Sequence, residues 1–431
     1  MVFEDPKILI EDEIKQLEEE GYLMSDVRDS YNWFLLNRPE ITWEDMKHFY
    51  GYYFQFLEKD PNFKYFEPSE FEEIRNNSNF KKYSIERFVE KHLYEKIYGS
   101  LLGRAAGCML GKPVEGWKRE EILEYLSKAG EKELDYYFPF LEAYNNKLRS
   151  KECLRGKINK AVRDDDLDYP IIGLKILETY GLNFSSENVG KIWLENLPFG
   201  LVYTAERSAY RNLVNSLMPP KTATFINPYR EWIGAQIRSD IFGWISPGDP
   251  IKAVTLAYKD ASLSHIKNGI YGELFVSALL SLSYLFDDPE QLIIESLNFI
   301  PQNSRLFEAI NYVLKIYVDG ENFDSCWKQI IQRYGSYNWV HTINNACFVV
   351  AALLYGEKDF EKSICLAVES GYDTDCNGAT VGSILGLMLG SNNLPDKWIS
   401  PLNDSLESLV PGFHKIKISD LAQRIIMQIK L

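Results

Sequence analysis

Two aspartates separated by one residue, Asp373 and Asp375, stand in Gly371-Tyr372-Asp373-Thr374-Asp375-Cys376-Asn377-Gly378, just ahead of a small-residue apolar run from Val381 to Gly390. Carboxylates are costly to bury unless they are paired, hydrogen-bonded or bound to metal. A second acidic knot, Asp164-Asp165-Asp166, precedes another apolar helical pattern about two hundred residues upstream. Taken singly, each knot reads as an acidic helix start that favours the helix dipole. Taken together, they offer what a hard divalent cation needs, which is several oxygen ligands converging from separate helix ends.

A third segment runs Gly99-Ser100-Leu101-Leu102-Gly103-Arg104-Ala105-Ala106-Gly107-Cys108-Met109-Leu110-Gly111-Lys112-Pro113-Val114-Glu115-Gly116. Its small residues at 99, 103, 106 and 107 are spaced for close helix–helix contact, and it ends in a Pro-Val-Glu turn. In this order, the three segments resemble the ADP-ribosylglycohydrolase family, from roughly Tyr94 to the C-terminus. The resemblance implies an all-α fold with a two-magnesium site, manganese being the alternative ion. It places Asp373 and Asp375 on two metal-ligand aspartates, and Cys376 where many members have a threonine ligand. The upstream family motif is Thr or Ser, Asp, Asp, Thr. Aligned without gaps on Tyr169 to Glu178, it puts the Asp pair on Asp165 and Asp166, with Asp164 and Leu167 at the flanking positions. A one-residue slip selects Asp164 and Asp165 instead. The metal candidates are therefore Asp164, Asp165, Asp166, Asp373, Asp375 and Cys376. A thiol is a poor magnesium ligand, so either Cys376 is a spectator or one ion is held more weakly.

Glu115 matches a loop glutamate that positions or activates water, which makes Glu115, Asp165 and Asp166 the catalytic candidates. His265, in Ser264-His265, stands where the family carries a Thr/Ser-His pair close to the substrate. Asp240, in Arg238-Ser239-Asp240, is a candidate substrate contact. Tyr203, Arg207, Tyr210 and Arg211 share helical spacing. They could stack on an adenine and grip a diphosphate, or simply pack on a helix surface. His341, Asn344 and Asn345 read as structural. The function implied is magnesium-dependent cleavage of the glycosidic bond of an ADP-ribosyl group on a protein, nucleic acid or small molecule. Two alternatives stay open: a non-catalytic ADP-ribose-binding or crystallin-like member of the fold, and a dinuclear hydrolase of another ribose-containing ligand.

Composition sets the outer limits. The chain has 431 residues, 45% hydrophobic and 25% charged, ordinary for a globular protein. A net charge of −15 argues against non-specific binding to nucleic acid or to acidic membranes. Six cysteines without a Cys-x-x-Cys pair read as reduced thiols in a cytoplasmic protein. The start Met1-Val2-Phe3-Glu4-Asp5 lacks a signal-peptide layout. The most apolar stretch, Ile270 to Phe286, is broken by Glu273 and serines, which favours a core helix over a membrane span.

The elements that must carry these residues are helices. Residues 1–90 are rich in Glu, Lys, Tyr and Phe and read as a helical accessory region, with residues 91–431 as the catalytic domain. Helical spacing from Ile8 ends at Gly21, Thr42 reads as an N-cap, and Asn76 to Asn79 read as a turn. Ser84 should cap the helix that leads into the glycine-rich segment. Leu174 to Lys191 reads helix, Gly-Leu-Asn turn, helix. Pro198 stops the second of these, because the residue before a proline disfavours helical geometry. Few alternating strand patterns occur.

Overall fold

The computed structural model describes residues 4–38, 40–54, 56–84 and 90–429. Met1 to Phe3 and the stretch just after Ser84 lie outside the described residues, so the expected cap at Ser84 is not addressed. Among the described residues the chain folds into 21 α-helices, short 3₁₀ turns, one π turn and a single two-stranded antiparallel sheet, Ser405–Glu407 with Lys415–Lys417. The all-α expectation holds. No helix among the described residues is long and apolar enough to cross a membrane.

The centre of the molecule is a pair of small-residue helices, Glu90–Gly111 and Thr374–Leu389. Their backbones touch. A β-carbon on Gly103 would lie 2.1 Å from the Gly382 carbonyl oxygen, and one on Gly107 would lie 1.9 Å from that of Gly378. Only hydrogen fits there, so the glycine spacing sets the interhelical distance. Thr374 Oγ1 donates to the Gly111 carbonyl at 2.8 Å and joins the end of one helix to the start of the other. The two chemical segments, Lys112 to Glu115 and Asp373 to Cys376, are thereby held side by side.

The third element is the helix Asp165–Tyr180. Asp164 is its N-cap, and its side chain accepts from the Asp166 amide at 2.9 Å. A Gly-Leu-Asn 3₁₀ turn and the helix Ser186–Asn196 follow, as the sequence indicates. Around this core pack the almost fully buried helix Lys267–Leu282 and the helix Thr342–Tyr355.

The N-terminal residues have a small core of their own. It is built from Leu9, Ile10, Ile14, Leu17, Met46 and Phe49, with Ile226 reaching in from the main body. The first helix, Pro6–Glu19, gives way to Gly21 at φ +84°, a left-handed conformation that suits glycine. Thr42 forms a capping box with Asp45, and the helix Phe71–Asn76 ends in the expected asparagine turn.

Candidate metal centre

A cavity of about 390 Å³ opens where these helix ends meet. Glu115, Asp164, Asp165, Asp373, Asp375 and Cys376 all line it. Three groups of donor atoms converge, each within 4.8 Å: Glu115 with Asp373 and Asp375; Asp166 with Asp375 and Cys376; Cys108 with Asp164 and Asp166. Asp375 and Asp166 each belong to two groups and so tie the clusters together. Asp165 faces the cavity but belongs to none of these groups.

Opposing basic groups hold part of this charge. Lys112 forms an ion pair with Asp164. Arg104, fully buried, donates to Asp166 Oδ1 at 3.1 Å, to the Asp166 carbonyl at 2.7 Å and to Asp240 Oδ2 at 2.9 Å. Arg149 donates to Glu115 Oε1 at 2.7 Å.

The remaining negative charge is uncompensated, and proton affinities respond. Burial, then mutual repulsion with Asp375 and with Glu115, pushes the Asp373 carboxyl well above its ordinary value. Burial, Glu115 and Asp164 do the same to Asp375. Burial also raises Asp166 despite Arg104, and burial with Asp164 pushes Asp165 up to about 8. Glu115 is raised by burial, against the pull of Arg149. Asp164 runs the other way: burial raises it, but the Lys112 ammonium, the Asp166 amide and Arg163 together outweigh that and hold it below its ordinary value. The Cys108 and Cys376 thiols are raised by burial and by the neighbouring carboxylates, so both are neutral sulfurs.

Two atoms test whether a cation suits this arrangement. Asp166 Oδ2 and Asp375 Oδ1 are buried without a hydrogen-bond partner. An orphaned carboxylate oxygen is costly, and a divalent ion would satisfy both. The donor set is dominated by carboxylates, which fits a hard ion such as magnesium or manganese, whereas neutral Cys376 and Cys108 add little to it.

Two of the sequence candidates lie off the cavity lining. Asp240 does not reach the cavity. It is fully buried, accepts from Arg104, and also accepts from Ser383 Oγ. His265 is also enclosed, 1% exposed, and shares a 2.8 Å hydrogen bond between Nδ1 and Ser264 Oγ. Burial and the nearby Arg238 hold it well below its ordinary proton affinity, so it is neutral. The Ser-His and Arg-Ser-Asp motifs mark a supporting layer behind the site. Arg238 belongs to that layer, donating to Glu206 Oε1 at 2.5 Å and pairing with Asp260. Of the four residues at helical spacing, only Tyr203 lines the cavity; Arg211 is engaged by Glu4 and Tyr210 packs at a tilt against Phe199. Asn345 Oδ1 accepts from Asn377 Nδ2 at 2.8 Å and so supports the Asp373 loop, which agrees with its structural reading.

The cavity has a second wall that sequence reasoning missed. Trp232, Ile233 and Gly234 stand beside Asn338, Trp339 and Val340, and Arg149 and Arg163 also contribute. The two tryptophan segments are paired: Ile233 N–H donates to the Val340 carbonyl at 2.9 Å, and Trp232 bridges His341 in antiparallel fashion. No local motif announces this wall. Lys112 and Arg104 lie inside the glycine-rich motif, and it is the fold that brings them against Asp164 and Asp166.

Comparison with known proteins agrees with this architecture. The sequence profile of the ADP-ribosylglycohydrolase family matches residues 90–430. The chain belongs to the ADP-ribosylglycohydrolase family. A relative described as an uncharacterized protein, from Archaeoglobus fulgidus, is 24% identical over 329 residues, covering 75% of this chain and 97% of the relative. A solved structure described as an ADP-ribosylglycohydrolase-related protein complex superposes with a TM-score of 0.52 at 18% identity, over 79% of this chain and all of the other. At that identity the likeness speaks to the fold.

Proposed function

We propose that the protein is a divalent-cation-dependent hydrolase that releases ADP-ribose from a glycosidic linkage. The observation that carries this reading is the convergence of Glu115, Asp373 and Asp375 on one cavity, with Asp166 grouped behind them beside Asp375, and a partnerless buried oxygen on each of Asp166 and Asp375. Family membership supports glycosyl hydrolysis as the reaction class. Asp373, Asp375 and Asp166 would hold the ion or ions, with Asp164, Asp165 and Cys376 as further candidates. A bound divalent ion would supply Lewis-acid polarisation and a template for ribose hydroxyls.

The chain's own residues then do the rest. Glu115 takes a proton from the attacking water as the water's oxygen bonds to the anomeric carbon. The bond from that carbon to the departing nitrogen or oxygen breaks; the leaving group carries away the electron pair and takes a proton from solvent, and Glu115 returns its proton to solvent. Arg149 fixes the Glu115 carboxylate and favours its charged form. Trp232 and Trp339 offer flat apolar faces to the organic part of the substrate, and Arg163 and Arg149 offer positive charge to its phosphates. Asp240 and His265 act at a distance, by fixing Arg104 and the layer behind the site.

The test is direct. Purified protein with magnesium is incubated with ADP-ribosylated arginine, serine and DNA substrates, and free ADP-ribose is measured. Release from at least one, abolished by EDTA, is expected. Binding of free ADP-ribose without release from any would replace the enzyme by a binding module. The Lys112–Asp164 ion pair favours that second reading, since it occupies one carboxylate with a resident cation.

A further inference from the structure

Residues 4–84 lie outside the family match, yet their first helix touches the back of the tryptophan wall. Arg230 and Glu231 immediately precede Trp232 in the chain. Arg230 donates to both Glu13 carboxylate oxygens at 2.8 Å and to Glu20 Oε1 at 2.7 Å. Glu231 Oε2 accepts from Gln16 Nε2 at 2.6 Å. All five side chains are more than nine-tenths buried. Glu19 reaches His341 Nε2 at 3.7 Å, next to Val340 on the other half of the wall. One face of one helix therefore contacts both segments that carry Trp232 and Trp339.

The contacts extend through the wall. Arg305 donates to Glu231 at 2.7 and 2.8 Å and to Glu67 at 2.7 Å. Asn268 Nδ2 donates to Glu231 Oε1 at 2.7 Å and to Glu67 at 2.8 Å. The Glu231 carbonyl accepts from the Thr342 amide at 3.2 Å, and the Arg230 carbonyl from the Ile266 amide at 3.1 Å. Charge explains the arrangement. Arg230 and Lys267 on the main body meet carboxylates supplied by the N-terminal residues, Glu13 and Glu20. Buried charges hold their geometry only when their partners stay in place.

We infer that the N-terminal helix is a positioning element for the ligand: Glu13, Gln16 and Glu20, acting through Arg230 and Glu231, set the wall that carries Trp232 and Trp339. None of these residues touches the acidic cluster. The helix should thus govern capture of the organic part of the ligand and leave cation binding alone. The ligand named here, ADP-ribose, rests on the function proposed above; the coupling of helix to wall does not.

The experiment uses the full chain carrying Glu13→Gln with Glu20→Gln, and separately Gln16→Ala as a milder variant should the first fold poorly. Calorimetry measures magnesium alone, then ADP-ribose with magnesium. Hydrogen exchange follows the amides of residues 229–234 and 338–342. Expected are at least tenfold weaker ADP-ribose binding for the double variant and a smaller loss for Gln16→Ala. Magnesium affinity should stay within twofold, and exchange should quicken in both wall segments. Unchanged ADP-ribose affinity, or equal loss of magnesium and ADP-ribose binding, would overturn the inference. If wild type binds no ADP-ribose, the proposed function fails by itself. The exchange data then decide the inference, and unaltered protection of both segments refutes it.

Discussion

Magnesium should stabilise this protein, and the gain should grow with pH. The carboxyls of Asp165, Asp166, Asp373, Asp375 and Glu115 all have raised proton affinities in the folded chain, from burial and mutual repulsion. A raised acid binds more protons folded than unfolded, so metal-free stability falls as pH rises from the ordinary carboxyl value to the raised one. For Asp165 that window runs from about 4 to about 8. Each such proton is worth about 1.4 kcal/mol per pH unit, hence roughly 2–3 kcal/mol between pH 6 and pH 8. Asp164 opposes this trend only at acid pH, because Lys112 lowers its value and its contribution is complete well below pH 6.

A divalent ion replaces those protons as the counter-charge. At one hundred times its dissociation constant it adds about 2.7 kcal/mol. For 431 residues at about 2.1 cal/mol/K each, the unfolding entropy is about 0.9 kcal/mol/K, so 1 kcal/mol moves Tm by about 1 °C. The expected picture is a Tm in EDTA that falls by about 3 °C from pH 6 to pH 8, and a magnesium-induced rise of about 3 °C at pH 8. The rise should be smaller at pH 6, where protons compete for the same oxygens. Thermal melts in EDTA and in millimolar magnesium at both pH values measure this. Identical melts at pH 8, or a larger magnesium effect at pH 6, would refute the electrostatic account of the site.

Asp375→Asn keeps size but removes a charge shared by two donor groups; it should fold, bind magnesium weakly and release ADP-ribose at least tenfold more slowly, a barrier change of about 1.4 kcal/mol or more, read by calorimetry and single-turnover assay. Gly107→Ala puts a methyl 1.9 Å from the Gly378 carbonyl oxygen, so urea unfolding should show about 1–3 kcal/mol of destabilisation, together with weaker magnesium binding as the helices part. Lys112→Met leaves Asp164 without its ion partner; the metal-free protein should lose about 3–5 kcal/mol in urea, and magnesium affinity should rise as Asp164 becomes available. A magnesium affinity that falls instead would mean Lys112 positions the ligands rather than competing with the ion.

The parts legible in the sequence are those whose physics is local. An aspartate ahead of an apolar run is a helix start wherever the helix lies, and glycines at 99, 103 and 107 recur every four residues because one face must stay bare. Both signals survive without knowledge of the partner. The tryptophan wall has no such signal. Trp232 and Trp339 are over one hundred residues apart, and their segments meet through an isolated bridge between Trp232 and His341 and a few backbone hydrogen bonds such as Ile233 to Val340. Asp240 and His265 lie off the cavity lining for a related reason. Their sequence contexts do not say which side of a helix layer they occupy: Asp240 is turned toward Arg104 and Ser383, and His265 toward Ser264 and Glu206, partners that for the most part belong to other elements.

The glycine spacing and the acidic knots, two separate features on the page of the sequence, turn out to be one device. Arg104 lies one residue after Gly103, on the helix that approaches Thr374–Leu389 most closely. From there it reaches Asp166 and Asp240 at once, while Lys112, one residue past Gly111, reaches Asp164. Backbone contact between the two helices thus sets how far the cations stand from the aspartates. A shift of this helix at Gly107 would move Arg104 and Lys112 together relative to Asp166, Asp240 and Asp164. That is why a single methyl there, on a residue that is itself no ligand, is expected to weaken metal binding as well as the fold.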